Sequence, residues 1–244
     1  MTGLAVAPVD SVAGALGQQV ITVMPPTNPL PPHLELELVR DGLAALGRGG
    51  PSTLRLSQPR ATAAFSRRDT RLPGHPRAMT VAAEAGFSLV IRPVGGHLAV
   101  YGESSVVVHL WAAHTEARHY VRERFTVLGN ALAEALRSVG VDARLGPVPG
   151  EYCDGEFSVN DSGRTKLAGT GQRITRHGYL FSAVVMVDGA EQARDTLARA
   201  YAELELPFLS ETVGCVRDSA RGVNTHEVRA QIAAAFARVL PGSR

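Results

Sequence analysis

The chain has 244 residues, 45% of them hydrophobic, which is enough for one large domain with a substantial core. With 20% charged residues, a formal net charge of +2 and a pI of about 8.7, it carries no field strong enough to hold nucleic acid without a dedicated motif. The longest apolar runs, such as "SLVI" and "FSAVVMV", fall far short of the ~20 residues a bilayer span requires, and the N-terminus has no basic leader; no membrane partner and a cytoplasmic location are expected.

Residues 1–32 show no sustained period and end in "PPTNPLPP", which predicts an extended lead-in outside the core. In "HLELELVRDGLAALG", Leu36, Val39, Leu43 and Leu46 fall on one helical face, predicting a helix over 33–47, although Leu34, Leu36 and Leu38 also alternate as a strand would and Gly42 weakens a helix by about 1 kcal/mol. "STLRLSQ" and "ATAAFSR" read as short strands, and "GHPRAMTVAAEAG" as a helix closing near Gly86. Two β-branched runs follow, "SLVIRPV" and "HLAVYGESSVVVHLWA", separated by Gly95 and Gly96. The longest helical signal is "TEARHYVRERFTVLGNALAEALRSVG", which stops at Gly140. "FSVN", "TKLAGTGQRIT" and "YLFSAVVMVD" then predict three strands joined by "DSGR" and "RHG", and helices at about 190–203 and 225–239 finish the chain. Strands in groups, without regular βαβ alternation, predict an α+β fold with a mixed, largely antiparallel sheet flanked by helices, in a single domain over 33–244.

The two cysteines, Cys153 and Cys215, cannot build a disulfide framework or a four-ligand zinc site. His114 and His119 are five apart, off one helix face, and no HExxH spacing occurs, so no metal is expected. Of the 25 basic residues, one is lysine, Lys166, leaving 24 arginines (25 − 1). A chain that fills its ordinary charged positions with arginine and keeps one amine singles that amine out, because lysine is compact and able to give up its proton where arginine is not. In "GRTKLAGTGQR", a period of two places Lys166, Ala168, Thr170 and Gln172 on one face, with Gly163, Gly169 and Gly171 leaving room for close approach of a ligand or backbone. A weakened edge hairpin is the bland alternative.

Cys153 lies in the loop "VPGEYCDG", thirteen residues before Lys166, so the hairpin allows thiol and amine to meet; a nearby ammonium would favour the thiolate, and a thiolate can carry an acyl group. A half-buried loop cysteine without a role is the alternative, and Cys215 reads as a packed small residue. "IRPVGGHLAVYGES" sets Arg92, Gly95, Gly96 and His97 at a strand junction, either a plain turn or a set of donors for an anionic group or carbonyl. The clusters "SRRDTR" and "VRERF" read as a solvated face with Asp69, Glu116 and Glu123 as local counter-ions, or else as sites for phosphate or an acidic protein.

"SVNDSGRTKLAGTGQR" resembles the segment vNGRKiaGsaQr of the lipoate-protein ligase A and lipoyl/octanoyl transferase family, which also includes the biotin-protein ligase catalytic domain, with one extra residue before the lysine. "RPVGGHLAVY" resembles that family's loop RxTGGRAVxH, with His97 where Arg is usual and Tyr101 where His is usual. The likeness covers roughly residues 35–240. It implies that fold, Lys166 as the essential lysine, Cys153 rather than Cys215 as a thioester nucleophile, and substrate contacts at Arg92, Gly95, Gly96, His97, Tyr101, Gly169, Thr170 and Gln172. The implied activity is transfer of an octanoyl or lipoyl group, from an acyl carrier protein or a lipoylated protein, to a lysine of a lipoyl-domain acceptor, without cofactor. In that chemistry Lys166 is charge stabiliser and proton acceptor. Alternatives are an ATP- and Mg-dependent lipoate-protein ligase and a non-catalytic acyl- or carrier-binding module. A monomer is expected.

Overall fold

The computed structural model describes residues 9–17 and 19–242. In chain order these form α1 (Val9–Leu16), β1 (Ile21–Val23), α2 (Pro32–Ala45), β2 (Ser52–Ser57), β3 (Thr62–Phe65), α3 (His75–Glu84), β4 (Ser88–Ile91), β5 (Ala99–Tyr101), β6 (Ser105–Ala113) and α4 (Val121–Arg137). They continue with β7 (Ala143–Leu145), β8 (Val159–Asp161), β9 (Thr165–Ile174), β10 (Gly178–Met186), α5 (Ala190–Glu203), α6 (Val216–Ser219) and α7 (Thr225–Val239). A seven-stranded sheet runs β1-β2-β6-β10-β9-β8-β7, antiparallel except for the β1–β2 pair, and a three-stranded sheet runs β4-β3-β5 with β3–β4 parallel. This is the expected α+β architecture.

One face of the large sheet packs on α1, α4 and α7 through residues such as Phe181, Ala183, Leu132 and Phe236. The other face meets α2 through Trp111 and Leu180, and leaves a hollow between the two sheets. The α2 helix buries Leu36, Val39 and Leu43, with Leu46 in a following turn of 3₁₀ helix. Gly42, a weakness in the sequence reading, lies where a Cβ would sit 2.5 Å from the Trp111 ring, so the glycine is what lets α2 approach β6. Another short strand, β7, and the single-turn α6 had no sequence signal.

The expected lead-in over 1–32 is only partly extended. The Pro-rich stretch is irregular up to Pro31, but α1 and β1 precede it; Leu16 and Ile21 join the main core, and Ala15 is buried as well. The last carbonyls of α1 are satisfied from far along the chain: Arg124 Nη1 donates to Ala15 O (2.8 Å) and Tyr179 Oη to Leu16 O (3.1 Å). An eight-residue helix and a three-residue strand are too short to register as a period, and their long-range anchors are invisible locally.

Candidate active site

Four segments converge on Cys153. Its loop, between β7 and β8, puts the residue in the left-handed backbone region (φ 45°), which costs a non-glycine residue roughly 1–2 kcal/mol. Both of its backbone polar groups are held: the N–H donates to Tyr201 Oη (2.7 Å), and the carbonyl accepts from Lys166 Nζ (2.9 Å). Tyr201 Oη in turn donates to Leu98 O (2.8 Å). The strain is therefore restrained from α5 on one side and β9 on the other.

The sulfur accepts from Arg92 Nη2 (3.2 Å) and from the backbone N–H of His97 (3.3 Å). Burial by itself pushes the Cys153 thiol up, but the Arg92 guanidinium, the Lys166 ammonium and the His97 N–H together outweigh it and hold the thiol below its ordinary value. Arg92 Nη2 also donates to His97 O, closing the turn around the sulfur. Gly96 (φ 93°) fits there because a Cβ at that position would overlap Cys153 Sγ and approach Arg92 Nη2 to 2.7 Å. The neighbouring Gly95 faces open space at its absent Cβ.

Lys166 is 2% exposed, and its three N–H groups point at three acceptors: Glu151 Oε1 (3.2 Å), Tyr152 O (2.9 Å) and Cys153 O (2.9 Å). The ammonium also lies 4.7 Å from the Tyr152 ring centroid. Glu151 is fully enclosed and accepts further from Val148 N, Gly155 N and Ser158 Oγ. The amine that composition isolated is thus the anchor of the cysteine loop. All three of its N–H donors are taken up by acceptors on the cysteine loop.

The expected row Lys166, Ala168, Thr170, Gln172 does not hold. Asn160 pairs with Lys166 and Val159 with Ala168, so one step on β8 faces two on β9, a bulge that reverses side-chain parity beyond Leu167. Ala168 joins the α4-side core, Thr170 Oγ1 donates to Phe157 O (2.8 Å), and Gln172 takes Arg124 Nε on Oε1 (2.7 Å) while donating to Val121 O (3.0 Å). Gly169 and Gly171 turn instead to the face of Lys166, where a Cβ on Gly169 would lie 3.4 Å from Lys166 Cε and one on Gly171 3.0 Å from Val94.

Between the sheets this leaves a pocket of about 670 Å³, counted with its mouth, that starts at Cys153 and Lys166. Its floor crosses Gly169 and Gly171, then Ser182 and Val184, then Val107 and His109, on the adjacent strands β9, β10 and β6. Tyr101 lines its wall, with the phenol pushed up to about 12 by burial. His109, at the inner end, is held down to about 4 by burial and so is neutral at pH 7, with Nδ1 2.9 Å from Ser182 Oγ. A separate open groove lined by Gly95, Gly96, Thr170 and Gln172 also reaches Cys153 and Lys166.

Several of these residues escaped the sequence reading. Asp69, expected as a surface counter-ion for its neighbouring arginines, is fully buried, accepts from Ser66 N (2.7 Å) and pairs with His97 Nδ1 (2.7 Å). Glu151 and Tyr201 carried no signal, since nothing local tells that a carboxylate two residues before the cysteine faces Lys166. Cys215 is buried and held up at about 11 by burial and by Asp218.

The fold is shared with lipoate-protein ligases. A lipoate-protein ligase A bound with ATP superposes with a TM-score of 0.70 at 16% identity over 91% of this chain and 85% of that one. A bipartite lipoate protein ligase from Thermoplasma acidophilum, solved with its E2 lipoyl domain, gives 0.63 at 17% identity over 91% and 84%. The sequence model of the lipoyl protein ligase A/B catalytic domain matches residues 36–237, and the chain belongs to that family. Among curated proteins it is similar to the octanoyl-[GcvH]:protein N-octanoyltransferase of Geobacillus kaustophilus, 31% identical over 137 residues, 56% of this chain and 48% of that protein. The enzyme of the same name from Bacillus velezensis is 24% identical over 164 residues, 67% of this chain and 57% of that protein. The chain thus spans about half the length of the curated relatives it matches.

Proposed function

We propose that the protein is an acyltransferase that takes an octanoyl or lipoyl group from a carrier, holds it as a thioester on Cys153 and passes it to a lysine of a lipoyl carrier domain. The observation that carries this reading is the sulfur of Cys153, favoured as thiolate between Arg92 and Lys166 at the start of a largely apolar pocket. Three adjacent strands at ~4.8 Å give a floor about 10 Å across, matching an extended chain of about eight carbons.

In the first half-reaction the thiolate attacks the acyl carbonyl carbon. The bond to the carrier's sulfur or amide nitrogen breaks, and the leaving group is protonated. In the second, the acceptor amine attacks the acyl-Cys153 carbonyl, the C–S bond breaks, the thiolate returns and the amine nitrogen gives its proton to solvent, which balances the proton that solvent supplied to the leaving group in the first. Lys166 serves as a fixed charge that holds the thiolate and the loop carbonyl, and the turn at Arg92, Gly95, Gly96 and His97 closes over the sulfur. The names of the curated relatives make octanoyl-GcvH the donor to test beside an octanoyl-acyl carrier protein. No helix among the described residues is long and apolar enough to cross a membrane.

The test is intact-mass spectrometry of the protein incubated with each octanoyl donor in the absence of ATP. An octanoyl adduct that disappears in Cys153→Ala supports the thioester route. Formation of lipoyl-adenylate from lipoate and ATP, with Cys153→Ala still active, would replace it with the ligase route, and no turnover under either condition would leave a binding module.

A further inference from the structure

We propose that the groove beside the acyl pocket is the docking surface for an acidic face of the carrier protein that delivers the acyl group, an inference that rests on the acyl-transfer reading above. The groove, about 1190 Å³ counted with its open side, shares Arg92 and Pro93 with the wall of the acyl pocket. Its basic residues come from separate segments: Arg40 from α2, Arg67 from the loop after β3, Arg173 from the end of β9, and Arg176 and His177 from the β9–β10 turn. No aspartate or glutamate lines it among the described residues. For a chain whose formal net charge is only +2, that is a strong local imbalance.

These charges are not neutralised by any acid among the described residues. Arg40, Arg67, Arg173 and Arg176 are exposed, and none is in an ion pair among the described residues. Arg40 Nε donates only to Leu36 O, Arg173 Nη1 to Pro93 O and Arg176 Nε to the adjacent His177 Nε2, so none of these contacts supplies a negative charge. Asp69, the acid adjacent in sequence, is turned into the core toward His97, so it does not neutralise Arg67. Among the arginines, Ile91 presents an aliphatic side chain that is 44% exposed. An apolar contact ringed by arginines is the composition of a protein-docking surface.

A phosphate fits the groove less well. The guanidiniums, Arg92 included, are spread over five segments, and the helix end that lines the groove, Leu43 and Ala44, is the C-terminal end of α2, whose carbonyl dipole disfavours an anion held close. A broad face carrying several carboxylates meets the spread arginines and stays clear of that end. The position is also right for delivery: Gly171 floors the acyl pocket and Arg173 is the next residue on that face of β9, about 7 Å along the strand.

The experiment uses fluorescently labelled octanoyl-GcvH and follows its binding to the full chain by anisotropy at low and at raised salt, for the wild type and for Arg40→Glu/Arg176→Glu. Both substitutions are at exposed positions away from Cys153. The expected result is binding that weakens with salt in the wild type, and a loss of about tenfold or more with a flattened salt dependence in the double variant. Acylation of Cys153 by a small octanoyl thioester should stay within about twofold, since that donor makes no rim contact. Unchanged carrier binding in the double variant overturns the proposal, as does an equal loss with the small thioester. Competition of ATP with the carrier, lost in the double variant, overturns it in favour of a phosphate site. Carrier binding is read without turnover, so if Cys153 is never acylated the transfer reading falls while the groove is still decided.

Discussion

Replacing Lys166 with methionine keeps the unbranched apolar stem, one atom shorter, and removes its charge. Lys166 is 2% exposed and its partner Glu151 is fully buried, so the substitution strands a carboxylate in the interior. Removing one member of such a pair costs about 3–5 kcal/mol. Glu151 keeps Val148 N, Gly155 N and Ser158 Oγ as donors, which places the expected loss at the lower end, about 3 kcal/mol. For a chain of this length that is a fall of about 6–12 °C in Tm. Adding Glu151→Gln neutralises the stranded charge, and the double variant should recover about half of the fall or more. Activity should not follow. In both variants Cys153 O loses its donor and the thiolate loses a positive neighbour, so acylation should drop by about 100-fold or more. Calorimetry gives Tm, and intact-mass time courses with an octanoyl donor give the rate. A double variant that melts below the single one refutes the ion-pair account, and wild-type acylation in Lys166→Met removes the lysine from the chemistry.

Iodoacetamide should modify Cys153 at a rate that rises with pH through an inflection below the ordinary thiol value of 9.0 and then levels off, because the protonated thiol is inert and the folded site favours its thiolate; Cys215, held at about 11, should stay unmodified near neutrality. Arg92→Met removes one of the charges that offset burial, so the same mass-spectrometric titration should show the Cys153 inflection move upward. Gly96→Ala puts a methyl group into the sulfur and forces a left-handed alanine, costing about 1–2 kcal/mol in backbone strain alone; thermal melting should show a modest loss while acylation of Cys153 nearly stops. Gly171→Val fills the pocket floor against Val94, and competition between acyl donors of different length should shift toward chains shorter than octanoyl.

What the residues disclosed on their own was chemistry carried by rarity and by glycine. A single lysine among arginines, a cysteine in a Pro/Gly loop upstream of it, and the pair Gly95–Gly96 were each visible, and the fold brings Lys166, Cys153 and the Arg92–His97 turn together. The faces of long elements were visible for the same reason that they are stable: α2 and α4 repeat their apolar residues over several turns, and each repeat buries area. The short α1 and β1 carry too few repeats, and their place in the core depends on Arg124 and Tyr179, more than a hundred residues away.

The face of β9 was misread for a different reason, and that reason bears on the site. Strict alternation assumes an unbroken ladder, but the ladder skips one residue at Leu167, and leucine marks no bulge as glycine or proline might. On a regular strand Lys166 would share its face with Ala168, Thr170 and Gln172, and their side chains would occupy the pocket floor. With the bulge, Gly169 and Gly171, which have no side chains, take that floor, and Thr170, though it borders the pocket, turns its hydroxyl away to Phe157 O as Gln172 turns to Arg124. The irregularity that defeats the pattern therefore lets the lysine lie alongside an open channel. The sulfur's other neighbours come from equally nonlocal pairings, Arg92 lying 61 positions and His97 56 positions before Cys153. Sequence spacing identified the residues that meet at the Cys153 sulfur, and a break in spacing keeps the pocket beside them open.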